Sequence, residues 1–161
     1  MKTSDGDVYL HGFNGSTLLA RSSDGDITID ELIAERSTIH TSDGGITLRG
    51  VEGDLTASSS DGSLRIDLAN PGEVTVTTPE GDITITVPSD LSADLQLRGD
   101  DVRISSQLEF RGNVKDERAD GELRGGGLLI KARTSDSDVT IRNNCAKNGC
   151  FLRVQNGQSR T

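Results

Sequence analysis

The sequence predicts an all-β fold: a single-stranded β-solenoid, or β-helix, of about eight coils that repeat roughly every 19 residues. Three observations carry this. First, one phrase returns along the chain. It reads TSDGDVYL from Thr3, SSDGDITI from Ser22, TSDGGITL from Thr41, SSDGSLRI from Ser59, TPEGDITI from Thr78 and TSDSDVTI from Thr134. Second, the turn positions Asp5, Asp24, Asp43, Asp61, Glu80 and Gly99 follow one another at steps of 18 or 19 residues, and Asp136 comes two steps later. Third, aromatics make up only 2% of the 161 residues and tryptophan is absent. A narrow interior filled by small aliphatic side chains accounts for that scarcity, whereas a β-sandwich would not require such constant spacing.

Each coil can be justified in order from the corner onward. Asp-Gly at the corner reverses the chain, with Gly6, Gly25, Gly44, Gly62 and Gly81 expected to supply positive φ and the aspartate to bond its own backbone. Ser22, Thr41, Ser59, Thr78 and Thr134, two residues earlier, can satisfy corner backbone groups. After the corner comes an alternating apolar pair: Val8 and Leu10, Ile27 and Ile29, Ile46 and Leu48, Leu64 and Ile66, Ile83 and Ile85, Val102 and Ile104, Val139 and Ile141. Before the corner comes a second pair: Leu18 and Ala20, Leu55 and Ala57, Val74 and Val76, Ala93 and Leu95, Ile130 and Ala132, with Ser37 and Ile39 filling it imperfectly. Period-two alternation places each pair on one strand face. A step of this length is two or three short strands, and stacking buries what one coil cannot bury alone. The best helix candidate is the short DELIAER at 30–36. Asp120-Gly121 is expected to be the corner missing between Gly99 and Asp136. Coils at the usual strand spacing give a rod roughly 40 Å long.

The net charge of −9 argues against nucleic acid and against an anionic membrane surface. No apolar run approaches the roughly 18 residues of a membrane span, so direct membrane insertion is not expected. The chain opens without a signal peptide and inside a repeat, so an upstream part is expected. Domain organisation follows: residues 1–142 form the repeat domain and 143–161 a cap or tail. Cys145 and Cys150, in CAKNGC, fit neither CxxC redox chemistry nor a zinc site. They are either two free thiols or a disulfide-closed turn around Asn148-Gly149. No cofactor is expected.

Chemistry-bearing residues are few. Acids at the corners should stack in two columns, Asp5, Asp24, Asp43, Asp61, Glu80 and Asp136 in one, Asp7, Asp26, Asp82, Asp101 and Asp138 in the other. Repelling carboxylates make Asp24, Asp26, Asp43, Asp61 and Asp82 weak calcium candidates, although the nine-residue calcium repeat is absent and solvated turns explain the same residues. Thr28, Thr47, Thr84 and Thr140 form an outward rank that could order water, but Tyr9, Arg65 and Arg103 interrupt it. Arg98-Gly99-Asp100 spells the attachment tripeptide at a corner that needs the glycine anyway. His11 and His40 fall at non-equivalent positions. No catalytic triad, P-loop or dinucleotide fingerprint is present.

The ordered phrases, with VPSDLSADLQLRGDDVRI and then GELRGGGLLIKARTSDSDVTI, resemble the bacterial adhesin-like family of β-strand-repeat envelope domains over about residues 3–142. The resemblance implies a right-handed β-helix, an extracytoplasmic location in the cell envelope or at the cell surface, and a binding or structural role without catalysis. Its partner would be a surface protein or a glycan. The alternative is a solenoid that binds or cleaves envelope polysaccharide. At the ends, the strand around Val8–Leu10 should present an unpaired edge prone to end-to-end self-association, and residues 145–154 should cover the last coil.

Overall fold

The computed structural model describes residues 1–105 and 108–143. The fold is all-β and β-solenoid-like. Four long strands open it: β1 (Val8–Arg21), β2 (Ile27–His40), β3 (Ile46–Ser58) and β4 (Leu64–Thr77). They pair in parallel, each with the next, so that Val8 faces Ile27, Ile27 faces Ile46 and Ile46 faces Leu64. No helix is present among the described residues. DELIAER, the helix candidate, is the middle of β2. Burial of Leu32 and Ala34 in the stack overrides its helical propensity.

Each long strand bends twice. In β2 the buried residues run Ile27, Ile29, then Leu32, Ala34, then Ser37, Ile39. Two outward residues in succession, Asp30–Glu31 and Glu35–Arg36, shift the alternation and turn the chain around the core. At the first bend Gly12, Glu31 and Gly50 share a left-handed φ of 72°, 59° and 64°. The bends add a third inward column, Phe13, Leu32, Val51, Leu68 and Val87, to the two expected pairs. Fully buried isoleucines such as Ile27 and Ile29 each contribute about 1.5–3 kcal/mol relative to exposure. In the pre-corner column Ser37 is buried between Leu18 and Leu55, and its hydroxyl has no partner.

Beyond β4 the coils no longer follow chain order. The remaining strands are β5 (Ile83–Val87), β6 (Ala93–Arg98), β7 (Asp101–Ile104), β8 (Phe110–Lys115), β9 (Arg118–Leu123), β10 (Leu128–Arg133) and β11 (Asp138–Asn143). β5 continues the stack on β4, but β6 does not pair with β4. The chain leaves a gap one strand wide, and β10 fills it, pairing with β4 on one side and β6 on the other. β11 likewise lies between β5 and β7. In space the last coil therefore precedes the one marked by Gly99. Among the described residues the post-corner stack runs Val8, Ile27, Ile46, Leu64, Ile83, Val139 and Val102.

Two expectations change with this order. Asp120-Gly121 is no corner: it lies in β9, which pairs antiparallel with β6 and with β8. Its Asp-Gly spelling is a coincidence of composition. The pre-corner pair of β6 is Leu95 and Leu97, opposite Ile130 and Ala132, because the link from Arg98 to Asp101 is shorter than other corners.

The ends differ. The β8–β9 hairpin closes the far end, its tip carbonyls at Glu117 and Asp116 accepting from the N–H groups of Gly99 and Val102. At the near end β1 pairs, among the described residues, with β2 alone as a strand, and Met1–Thr3 runs beside its final residues through Lys2 and Arg21. Leu10 and Phe13 are half-buried against the core there. The cap expected at 145–154, and the bond or thiols at Cys145 and Cys150, lie outside the described residues.

Candidate functional site

The corners are built as the repeat predicts, with one change of reason. Ser22, Thr41, Ser59, Thr78 and Thr134 are all buried. Their hydroxyls donate to the corner carbonyl of the neighbouring coil: Thr41 to Gly25 at 3.0 Å, Ser59 to Gly44 at 2.9 Å, Thr78 to Gly62 at 3.2 Å. The Ser22 and Ser59 oxygens also accept from the N–H of Gly25 and Gly62 within their own corners. Gly6, Gly25, Gly44, Gly62 and Gly81, however, carry no positive φ. Gly25, Gly44, Gly62 and Gly81 are glycine because corners touch, whereas a Cβ on Gly6, in the first corner, would meet only its own Thr3 hydroxyl at 3.4 Å. A Cβ on Gly44 would stand 2.2 Å from the Gly25 carbonyl oxygen, and one on Gly62 2.0 Å from that of Gly44.

The acidic columns exist, and the inner one has a structural partner. Asp26 N–H bonds Asp7 Oδ1 at 3.0 Å, Gly45 N–H bonds Asp26 Oδ1 at 2.8 Å, and Asp138 N–H bonds Asp82 Oδ1 at 3.2 Å. Each of these carboxylates staples its coil to the next. Asp24, Asp43 and Asp61 point into solvent and use only backbone N–H groups, which donate to Ser4, Ser23 and Ser42. Among the described residues no group of three or more acids, histidines or cysteines is placed to hold a metal.

The threonine rank is real, in the spatial order Tyr9, Thr28, Thr47, Arg65, Thr84, Thr140, Arg103. Beside it runs a second outward column in which Arg49 pairs with Asp30 at 2.9 Å. A shallow depression of about 310 Å³ lies between Arg49, Arg65, Thr84, Thr86 and Arg142. His11 is exposed, and His40 Nδ1 lies 2.9 Å from Ser58 Oγ, so the two histidines serve no common site. In the Arg98-Gly99-Asp100 corner the glycine is buried and its N–H and that of Asp100 are tied to Glu117 and Ser137.

One group was not legible from residue types alone. The residue just before each corner faces outward on the second side of the rod, in the order Arg21, His40, Ser58, Thr77, Arg133, Arg98. The row then crosses onto the hairpin through Arg118 and Lys115. Comparing pre-corner positions would have found Arg21, Arg98 and Arg133. Adjacency of the last two needs the intercalated order.

Stacked coils, hydroxyl-stapled corners and regular outward ranks define a solenoid-like repeat protein. The chain belongs to the Toastrack DUF4097 family, whose model matches residues 1–142. It matches no curated protein and no solved structure. Membership brings a repeat-like β domain of uncharacterised role.

Proposed function

We propose that the chain is a non-catalytic, adhesin-like rod of the cell envelope that presents rigid β faces to a surface protein or glycan. The observation that carries this is the shortness of its links. Up to Asn143, every connection between consecutive strands is five residues or fewer. Links of that length raise no walls around a cleft, whereas solenoids that act on polymers build their active sites from long loops. Corners with satisfied hydroxyls and backbone groups hold the faces rigid, which lowers the ordering cost of binding. The resemblance to envelope repeat domains supports an extracytoplasmic location, which suits a display role.

Two measurements test the reading. Fractionation of cells expressing the full-length gene should place the protein outside the cytoplasm. A glycan hydrolysis screen should release no product; turnover of any glycan would overturn the non-catalytic reading.

A further inference from the structure

Intercalation of β10 gathers cations that the sequence scatters. Arg133 faces Arg98, Arg98 faces Arg118, and Arg118 faces Lys115 across four neighbouring strands, all four exposed. Lys131 stands in the adjoining column, between Thr75 and Gln96. Arg118 is paired with Asp120. Among the described residues Arg98, Arg133, Lys115 and Lys131 form no ion pair. Like charges placed directly opposite one another destabilise a sheet. The row therefore works against folding in a chain whose net charge is −9.

The surroundings narrow what such a row can hold. A shallow depression of about 510 Å³ lies along it, with Thr75, Thr77 and Gln96 adding neutral hydrogen-bonding groups. Acids stand around it: Asp120 beside Arg118 in the adjoining column, Asp116 and Glu117 at the hairpin tip, Asp100 and Asp136 at the corner, and Asp94 and Glu122 two columns away. A broad anionic surface or a duplex laid here would meet all of those acids, whereas a single chain along the row would meet fewer of them, with Asp120 already held by Arg118. No phenylalanine, tyrosine or tryptophan lies among Arg133, Arg98, Arg118 and Lys115 or in the adjoining column, so this stretch has no platform on which bases could stack. Guanidinium groups on successive strands, about 4.8 Å apart, can each take a carboxylate or phosphate in a bidentate grip.

We propose that Arg133, Arg98, Arg118 and Lys115 form a binding strip for an anionic glycan chain bearing a carboxylate or phosphate on each repeating unit. The proposal rests on the display reading and names its ligand class. The test is titration calorimetry with polygalacturonate, poly(glycerol phosphate) and neutral dextran at low salt and at physiological salt. The expected result is binding to at least one polyanion, none to dextran, weakening with salt, and roughly tenfold or greater loss in the Arg98→Ser/Arg133→Ser double variant. The two acidic polymers separate carboxylate from phosphate as the recognised group. The double variant should melt at or above the parent temperature, because a repulsion is removed; Lys115→Ser on the hairpin provides an independent variant. No binding to either polyanion, an unchanged affinity in the double variant, or preference for duplex DNA or phosphatidylserine vesicles would overturn the strip. Attachment of the protein to whole cells that survives in the double variant overturns the strip alone and leaves the display reading standing. Shortened polygalacturonate products would overturn the display reading instead.

Discussion

Thr134 Oγ1 donates a 3.2 Å hydrogen bond to the carbonyl oxygen of Pro79, 55 residues earlier in the chain. It is the counterpart of the bond that Thr41 makes to the Ser23 carbonyl between consecutive coils, at 3.5 Å. The last coil thus docks on the fifth as though it followed directly, and the coil between them in sequence is displaced outward. Ile141, fully buried, lies between Ile85 and Ile104 as a result. Ile141→Ala should cost about 2–5 kcal/mol. Hydrogen exchange should quicken in both Ile83–Val87 and Asp101–Ile104. Loss of protection in β11 alone would contradict the intercalated order.

Corner packing gives a contrast between neighbouring positions. Ser59→Ala leaves the buried Gly62 N–H without an acceptor and should cost about 1–3 kcal/mol. Gly44→Ala drives a methyl group into the Gly25 carbonyl, and we expect a loss of about 4 kcal/mol or more. Gly45→Ser, one residue on, meets the Ser63 carbonyl oxygen at 3.2 Å and Asp26 Oδ1 at 3.7 Å and should change stability by less than about 1 kcal/mol. Urea denaturation of the three variants decides this, and equal costs at Gly44 and Gly45 would refute it.

Ser37 interrupts an apolar column with a buried hydroxyl that has no partner. Ser37→Ala removes the desolvation cost of that group and should stabilise the protein by about 1 kcal/mol. A lowered melting temperature would show that the hydroxyl is satisfied in solution.

Glu31 holds the left-handed conformation that glycine supplies at positions 12 and 50. Glu31→Gly should raise stability by about 1 kcal/mol, since the side-chain clash in that region costs more than the added backbone entropy of glycine. The reciprocal Gly50→Ala should lower it. Chemical denaturation of both variants measures the pair; effects of the same sign would disprove the account.

Calcium should matter little. Asp26 Oδ1 is already engaged by the Gly45 N–H, and the outer acids stand singly in solvent. Millimolar calcium is expected to move the melting temperature by less than about 2 °C, because only a ligand in large excess over its dissociation constant shifts the folded state appreciably. A rise of several degrees would contradict this.

Most of the coil was legible in the sequence because its causes are local. Alternation at Ile27 and Ile29 follows from strand geometry, and Ser59 two residues before a corner announces its own hydrogen bonds. The corner glycines were recognised, yet for a different reason, since contact between Gly44 and Gly25 is a property of the stack and not of either turn. The third inward column was hidden because Glu31 and Arg36 break the period of two. The order of the last coils was hidden more deeply. Val102 and Val139 carry the same pattern, and nothing near either says which packs on Ile83. The cationic row inherits that obscurity, since Arg98 and Arg133 become neighbours only through pairing between β6 and β10.

Placement of β11 between two partners makes the rod mechanically polar. Tension applied at residue 143 along the strand loads the bonds to β5 and β7 together, in shear, so they must fail collectively. Tension applied at residue 1 meets the short Lys2–Arg21 bridge and then β1, which among the described residues is held as a strand by β2 alone. Forced unfolding is governed by the unfolding barrier rather than by equilibrium stability. A solenoid of this design resists a pull on the intercalated strand from two sides and a pull on β1 from one.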